Sequence, residues 1–271
     1  PFADIPQPAE VTEACGRIRD HIGRLIDERG ASSGQEGDLA AEVIAAVDPE
    51  TGTKFDREEL IDQIGTFFLA GHETTASVLT WCFFILSNQP EAVRRMREEI
   101  EAVTGGGPVR FEHTKRLAFT RNVFRETLRL YPPLTFIPRV AIRDVEIEGH
   151  RLPRGAMVMI SPWIIHRHLD FWRDSDRFDP DRFDAGEGEP GAYLPFGLGP
   201  RVCIGAAFAT LESALILARL IRRFDFAMAE PDKVRPVARL TTRPASEVLA
   251  TVSPAQSAVQ EAGQAAPVGV V

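Results

Sequence analysis

The stretch from Asp56 to Pro90 constrains the fold more than any other part of this 271-residue chain. Asp56 followed three residues later by Glu59 has the form of a capping box, and the acidic side chains after it suit the positive end of a helix dipole. No Pro interrupts the pattern until Gln89-Pro90, so a helix over about 57–88 is expected, long for a globular protein. Its part from Phe67 to Leu86 is the most apolar run in the chain, yet Gly71, His72, Glu73, Thr74 and Thr75 lie within it. A lipid-spanning helix rarely accepts such a cluster near its middle. The expected element is therefore a long buried helix with a functional interruption. Gly71 costs about 1 kcal/mol relative to Ala but leaves room for a ligand beside the backbone. Thr74 can draw a backbone carbonyl from its helical bond and open a groove for water. Taken alone, these residues more often mark a kink or a structural polar network.

Around this helix the chain reads as mainly α with small β-sheets. Apolar periodicity predicts helices over 9–29 and 39–47, from Pro90 to near Gly105, and over 117–130 and 206–222. The polar stretch 30–38 is expected to be a loop. Residues 141–147 and 156–160 read as strands of a small antiparallel unit, with further short strands over 224–226 and 237–241. From Ser253 the composition is rich in Ala, Gln, Gly and Pro, which predicts a flexible tail over 253–271. No internal repeat is visible, and no Gly-rich phosphate loop follows a first strand, which argues against a doubly wound nucleotide-binding fold.

The formal net charge of −8 implies no general attraction to nucleic acid or to an anionic membrane. Seventeen Phe against two Tyr predict an aromatic core with few phenolic hydrogen bonds. Cys15, Cys82 and Cys203 are odd in number and far apart, which suits a reducing, cytoplasmic compartment and suggests neither a disulfide scaffold nor a zinc site. The chain opens Pro1-Phe2 without Met or a basic-then-apolar leader, so no secretory signal is expected.

The strongest local feature is Phe196-Gly197-Leu198-Gly199-Pro200-Arg201-Val202-Cys203-Ile204-Gly205. Gly199 and Gly205 permit tight turns or close approach to a flat ligand. Cys203 stands just before a predicted helix, where free amides and the helix dipole favour a thiolate. Such a sulfur suits a metal whose equatorial ligands come from a macrocycle. An isolated Cys in an apolar loop is more often a small buried hydrophobe, and a catalytic thiol is a further option.

Phe196, Gly199, Arg201, Cys203 and Gly205 together resemble the haem-binding signature Phe-x-x-Gly-x-Arg-x-Cys-x-Gly of cytochromes P450. The resemblance implies heme b with Cys203 as axial thiolate ligand to iron. It places Phe196 beside the sulfur, Arg201 at a propionate and Gly205 close to the site. Ala70-Gly71-His72-Glu73-Thr74-Thr75 is similar to the family's oxygen-binding motif. Gly71 would then border the haem and Glu73 and Thr74 form an acid–alcohol pair. Thr74 would hold the distal oxygen and ordered water while Glu73 delivers protons from solvent.

Glu126-Thr127-Leu128-Arg129 carries an acid and a base three residues apart, a spacing usual for surface pairs. It resembles the family's Glu-x-x-Arg motif, and Pro180-Asp181-Arg182-Phe183 resembles the accompanying Pro-x-Arg-Phe segment, with Asp181 in place of the commoner Glu. The resemblance implies a structural network of Glu126, Arg129 and Arg182 behind the haem. It also implies a propionate contact for Arg139 and a substrate-side lining from Leu134, Thr135, Phe136 and Ile137.

Residues 1–252 are thus expected to be the C-terminal portion of a P450 haem domain, without the upstream region that carries the family's Trp-x-x-x-Arg helix. The implied reaction activates dioxygen with two electrons and inserts one oxygen atom into a lipophilic organic substrate, most simply by hydroxylation. A separate ferredoxin or flavoprotein reductase fed by NAD(P)H would supply the electrons to a monomer. A peroxide-using haem-thiolate enzyme or isomerase, and a noncatalytic haem-binding or structural remnant, are the alternatives.

Overall fold

The computed structural model describes residues 6–31, 38–188, 191–239 and 241–255. Most of the expected 30–38 loop and of the expected tail falls outside them. The chain divides into two compact units, Pro1–His72 and Glu73–Val271.

The first unit holds α1 (Ala9–Ala31), α2 (Leu39–Ala45) and the start of α3 (Arg57–Leu86). The capping box at the head of α3 is reciprocal. The Glu59 N–H donates to Asp56 Oδ1 at 2.9 Å, and the Asp56 N–H donates to Glu59 Oε2 at 2.8 Å. Ile22 and Ile26 of α1 bury against Val43 of α2 and Leu60 and Ile61 of α3. Ile22 and Ile26 stand four apart and Leu60 and Ile61 are adjacent, so each of these two helices contributes one face.

The second unit is built on the rest of α3 with α4 (Pro90–Thr104), α5 (Ala118–Leu130) and α7 (Ala206–Arg223); the four-residue α6 (Pro162–Ile165) lies between the last two in sequence. Pro90 opens α4, where its missing N–H is harmless, and Gly105 ends it in the left-handed region at φ 60°. Val78, Cys82 and Leu86 of α3 form one core with Met96 and Ile100 of α4, Phe124 and Leu128 of α5, and Leu217 and Ile221 of α7. The four-residue spacing repeats in all four helices, as interlocking helix faces require.

The sheets are small antiparallel pairs. β1 (Ile137–Val140) pairs with β4 (Met157–Ile160), and β2 (Val145–Ile147) with β3 (His150–Leu152). β5 (Phe224–Met228) pairs with β8 (Ala250–Pro254), and β6 (Pro236–Ala238) with β7 (Thr242–Pro244). Three expectations are corrected. Residues 141–144 are not strand, because Asp144 turns the chain by accepting the Arg154 N–H at 2.9 Å. The strand that does pair with β4 contains Pro138, which breaks a strand pattern in sequence but is tolerated in a two-stranded edge. The expected strand 237–241 is strand only at Val237 and Ala238, the end of β6, and its pairing partner β7 begins at Thr242. Ser253 and Pro254 belong to β8, with Ser253 opposite Asp225, and the Ala255 N–H donates to the Arg223 carbonyl at 2.8 Å, so the chain is ordered past the expected start of the tail.

Among the described residues no helix is long and apolar enough to cross a membrane.

Candidate active site

The cysteine segment is a closed backbone loop ahead of α7. Gly197 and Gly199 both lie in the left-handed region, at φ 73° and 74°, which a side chain would strain. They fold the chain into a 3-10 turn over Gly199–Arg201, and the Val202 N–H donates to the Gly199 carbonyl at 3.0 Å. The Cys203 N–H then donates to the Phe196 carbonyl at 2.9 Å. Phe196 in turn packs on the helical core of the second unit, so the loop is anchored at the residue that closes it. The Cys203 carbonyl accepts the N–H of Ala206, the first residue of α7.

Cys203 is exposed and stands among exposed apolar side chains: Leu198, Val202, Ile204 at 83% and Phe208 at 69%. A Cβ at Gly205 would approach Cys203 Sγ to 3.8 Å, so the glycine keeps the surroundings of the sulfur open. Cys82 is its opposite. It lies wholly inside the core, where burial pushes its thiol up to about 12 and keeps it protonated and inert. An exposed thiol bordered by apolar side chains fits a flat, largely apolar macrocycle that brings its own equatorial ligands. The donor set therefore fits haem. Arg201, two residues before Cys203, is exposed. Arg139 is exposed on β1 and its guanidinium donates to the neighbouring Pro138 carbonyl at 2.9 Å.

On α3, Glu73 and Thr74 are half-buried. Glu73 Oε1 accepts the Thr241 hydroxyl at 2.6 Å. The next residue continues the clamp, because the Thr242 carbonyl accepts from Ser77 Oγ at 2.5 Å and from Trp81 Nε1 at 3.1 Å. Glu73, Ser77 and Trp81 are spaced by four, so the β6–β7 turn grips one stripe of the helix. The Thr242 N–H is held by the Pro133 carbonyl at 2.8 Å, which fixes the turn after α5 to the same place. Thr241 has no local sequence signal as a partner of Glu73, since 168 residues separate the two. In the first unit, Gly71 is exposed with nothing within 4 Å of an added Cβ, and His72 stacks parallel to Phe68 with ring centroids 6.0 Å apart.

The structure brings Glu126, Arg129 and Arg182 together, all buried. Glu126 accepts from Arg129 Nε and Nη2, both at 2.8 Å, from Arg182 Nε at 3.0 Å and from the Asp179 N–H at 3.0 Å. Arg129 Nη1 also donates to the carbonyls of His166 at 2.8 Å and Ser175 at 2.5 Å. Arg182 Nη1 reaches the Arg173 carbonyl and, at 2.5 Å, Glu187. Two carboxylates thus face two guanidiniums, and the surplus donors are taken up by backbone, the condition under which buried charge is tolerated. Glu187 and the backbone acceptors were not foreseen from sequence. Asp181 lies outside the cluster and forms a bidentate pair with Arg95 of α4, at 2.7 Å for each bond.

Residues 4–252 match the family model described as Cytochrome P450. The chain is 41% identical over 228 residues to cyclooctatin synthase of Streptomyces melanosporofaciens, covering 83% of this chain and 50% of that protein. It is 36% identical over 227 residues to pentalenene oxygenase of Streptomyces avermitilis, again covering 83% and 50%. A crystal structure of the cytochrome P450DA heme domain superposes with a TM-score of 0.82 at 28% identity, covering 89% of this chain and 54% of that one. The chain thus spans about half the length of the curated relatives it matches.

Proposed function

Because this chain belongs to the cytochrome P450 family, we propose that residues 1–252 are the C-terminal portion of a haem-thiolate monooxygenase acting on a lipophilic organic substrate. The observation that carries the proposal is the exposed Cys203 thiol on an anchored loop, bordered by exposed apolar side chains. Cys203 Sγ would hold the haem through its iron, with Leu198, Val202, Ile204 and Phe208 covering the apolar ring. Arg201 and Arg139 would meet its propionates, and Gly205 would leave it room. Heme b, when bound there, would supply the two-electron activation of dioxygen needed to insert one oxygen atom into the substrate.

The remaining chemistry belongs to side chains. Glu73 is half-exposed, so its carboxyl can be reached from solvent, and Thr241 fixes one of its oxygens. Thr74, next along α3, offers the hydroxyl that holds a proton on the distal side. The Thr241 clamp limits the rotamers from which Glu73 can deliver one. This pairing favours the reductant-dependent reaction over peroxide use. Leu134 and Phe136 are exposed apolar residues suited to a lipophilic substrate, and hydroxylation is the reaction we assign. Electrons would come from NAD(P)H through a separate ferredoxin or flavoprotein. A monomeric, cytoplasmic protein completes the reading.

The test is to load the chain with heme b, reduce it, add carbon monoxide and record the difference spectrum, with Cys203→Ser alongside. A thiolate-type Soret band that the serine variant lacks is expected. Haem bound without that band would overturn the assignment of Cys203.

A further inference from the structure

His166 is a fully buried histidine to which neither the sequence motifs nor the proposed chemistry gives a role. Its Nε2 accepts the Leu194 N–H at 2.7 Å, and its Nδ1 faces the Arg129 carbonyl at 3.2 Å. Both partners are backbone, and this settles the tautomer. An amide can only donate, so Nε2 carries the lone pair; a carbonyl can only accept, so Nδ1 carries the proton. The ring is held between Trp172 and Tyr193, with centroids 6.5 and 5.4 Å away. The Tyr193 hydroxyl is itself tied to the Arg125 carbonyl of α5 at 3.0 Å. The charged groups that face the imidazole, Arg129 and Arg167, are both cations.

These two bonds join elements that are distant in sequence. Arg129 belongs to the buried cluster, bound to Glu126, and it grips His166 a second time through the His166 carbonyl. Leu194 begins the cysteine segment: its carbonyl accepts the Gly197 N–H, and two residues on, the Phe196 carbonyl accepts the Cys203 N–H. We propose that His166 is a positioning residue, a neutral imidazole that ties the Glu126–Arg129–Arg182 cluster to the base of the Cys203 loop and thereby sets where the sulfur stands. The inference rests on the assignment of Cys203 as the axial ligand. Without His166, the buried Leu194 N–H has no acceptor and the loop loses its fixed start.

The experiment uses the haem-loaded chain and three substitutions. His166→Gln can keep an acceptor near the Nε2 position, His166→Asn keeps only a donor near Nδ1, and His166→Phe keeps neither. A buried donor left unpaired shifts the balance between thiolate-ligated and displaced sulfur by about tenfold. The ferrous carbon monoxide spectrum should therefore lose thiolate-type band in the Asn and Phe variants by about that factor, with Gln restoring most of it. Amide hydrogen exchange at Leu194 should rise in the same order. Met96→Ala, a core cavity with no bond to the loop, is the control. It should lower the melting temperature while leaving the band ratio unchanged. The proposal is overturned if His166→Asn and His166→Gln behave alike in band ratio and in Leu194 exchange, or if Met96→Ala shifts the ratio as much. If unsubstituted protein shows no thiolate band, the Cys203 assignment fails, and Leu194 exchange across the three variants still tests the bridge.

Discussion

Replacing Glu126 by Gln separates a buried network from a surface ion pair with the smallest possible change of shape. The carboxylate accepts four hydrogen bonds, three of them on Oε1 and one, from Arg129 Nε, on Oε2. An amide oxygen in the Oε1 position can keep its three donors. The amide nitrogen then faces Arg129 Nε, donor against donor, at a separation that was a 2.8 Å hydrogen bond. The negative charge is lost as well. Arg182 retains Glu187, but Arg129 is left with the carbonyls of His166, Ser175 and Arg177. Removing one partner of a buried pair costs about 3–5 kcal/mol, because the surviving charge stays buried. At about 2–4 °C per kcal/mol for a protein of this size, the melting temperature should fall by roughly 6–20 °C. Thermal unfolding followed by circular dichroism and by haem absorbance reads this directly. Asp181→Asn, at a neighbouring position, is the internal comparison. Its pair with Arg95 is as short but partly solvated, at 39% and 51% side-chain exposure, and should be worth less than about 1 kcal/mol. Equal losses for the two variants would refute the claim that burial sets the cost.

Three further outcomes are expected. Thr74→Ala should raise peroxide release per reductant consumed while haem content stays the same, measured by peroxide and product assays on one preparation; unchanged coupling would contradict the role given to Thr74. Thr241→Val removes the hydroxyl that holds Glu73 and should lower product per reductant by up to about tenfold, a modest share of what general acid–base groups contribute; an unchanged ratio would mean that the clamp does not matter. Burial holds His166 down to about 4 against an ordinary value of 6.5. The unfolded chain therefore takes up a proton first as pH falls. The stability that His166 contributes is complete above pH 6.5 and is lost between 6.5 and 4, by about 3 kcal/mol. Unfolding midpoints in denaturant across that range should show the loss, and His166→Gln should flatten it.

Helices were readable in the sequence because their determinants are local. The Asp56–Glu59 box, Pro90 at the start of α4 and the four-residue apolar spacing each act within a turn or two of the backbone. The short strands were less so. β1 is defined by its pairing with β4, twenty residues on, and its Pro138 obscures the pattern that would have marked it. The last strand, β8, carries Ala, Ser and Pro residues that look like a tail until β5 pairs with them.

The sequence by itself determined the chemistry available to this protein: which residue offers a thiol, which helix carries an acid beside an alcohol, and which acid and base can meet across one helical turn. Spacing conveys these because covalent order and helix geometry convert it directly into proximity. Only the tertiary structure decided which of them are held and by what. Glu126 and Arg129 have the spacing of an ordinary surface pair and become a fully buried one only when Arg182 and Asp179 close over them. Cys82 and Cys203 are the same residue, one inert in a core and the other exposed on an anchored loop. Thr241 meets Glu73, and His166 meets Leu194, across separations of 168 and 28 residues. Burial and long-range hydrogen bonds depend on the whole packed chain, and so no local pattern encodes them.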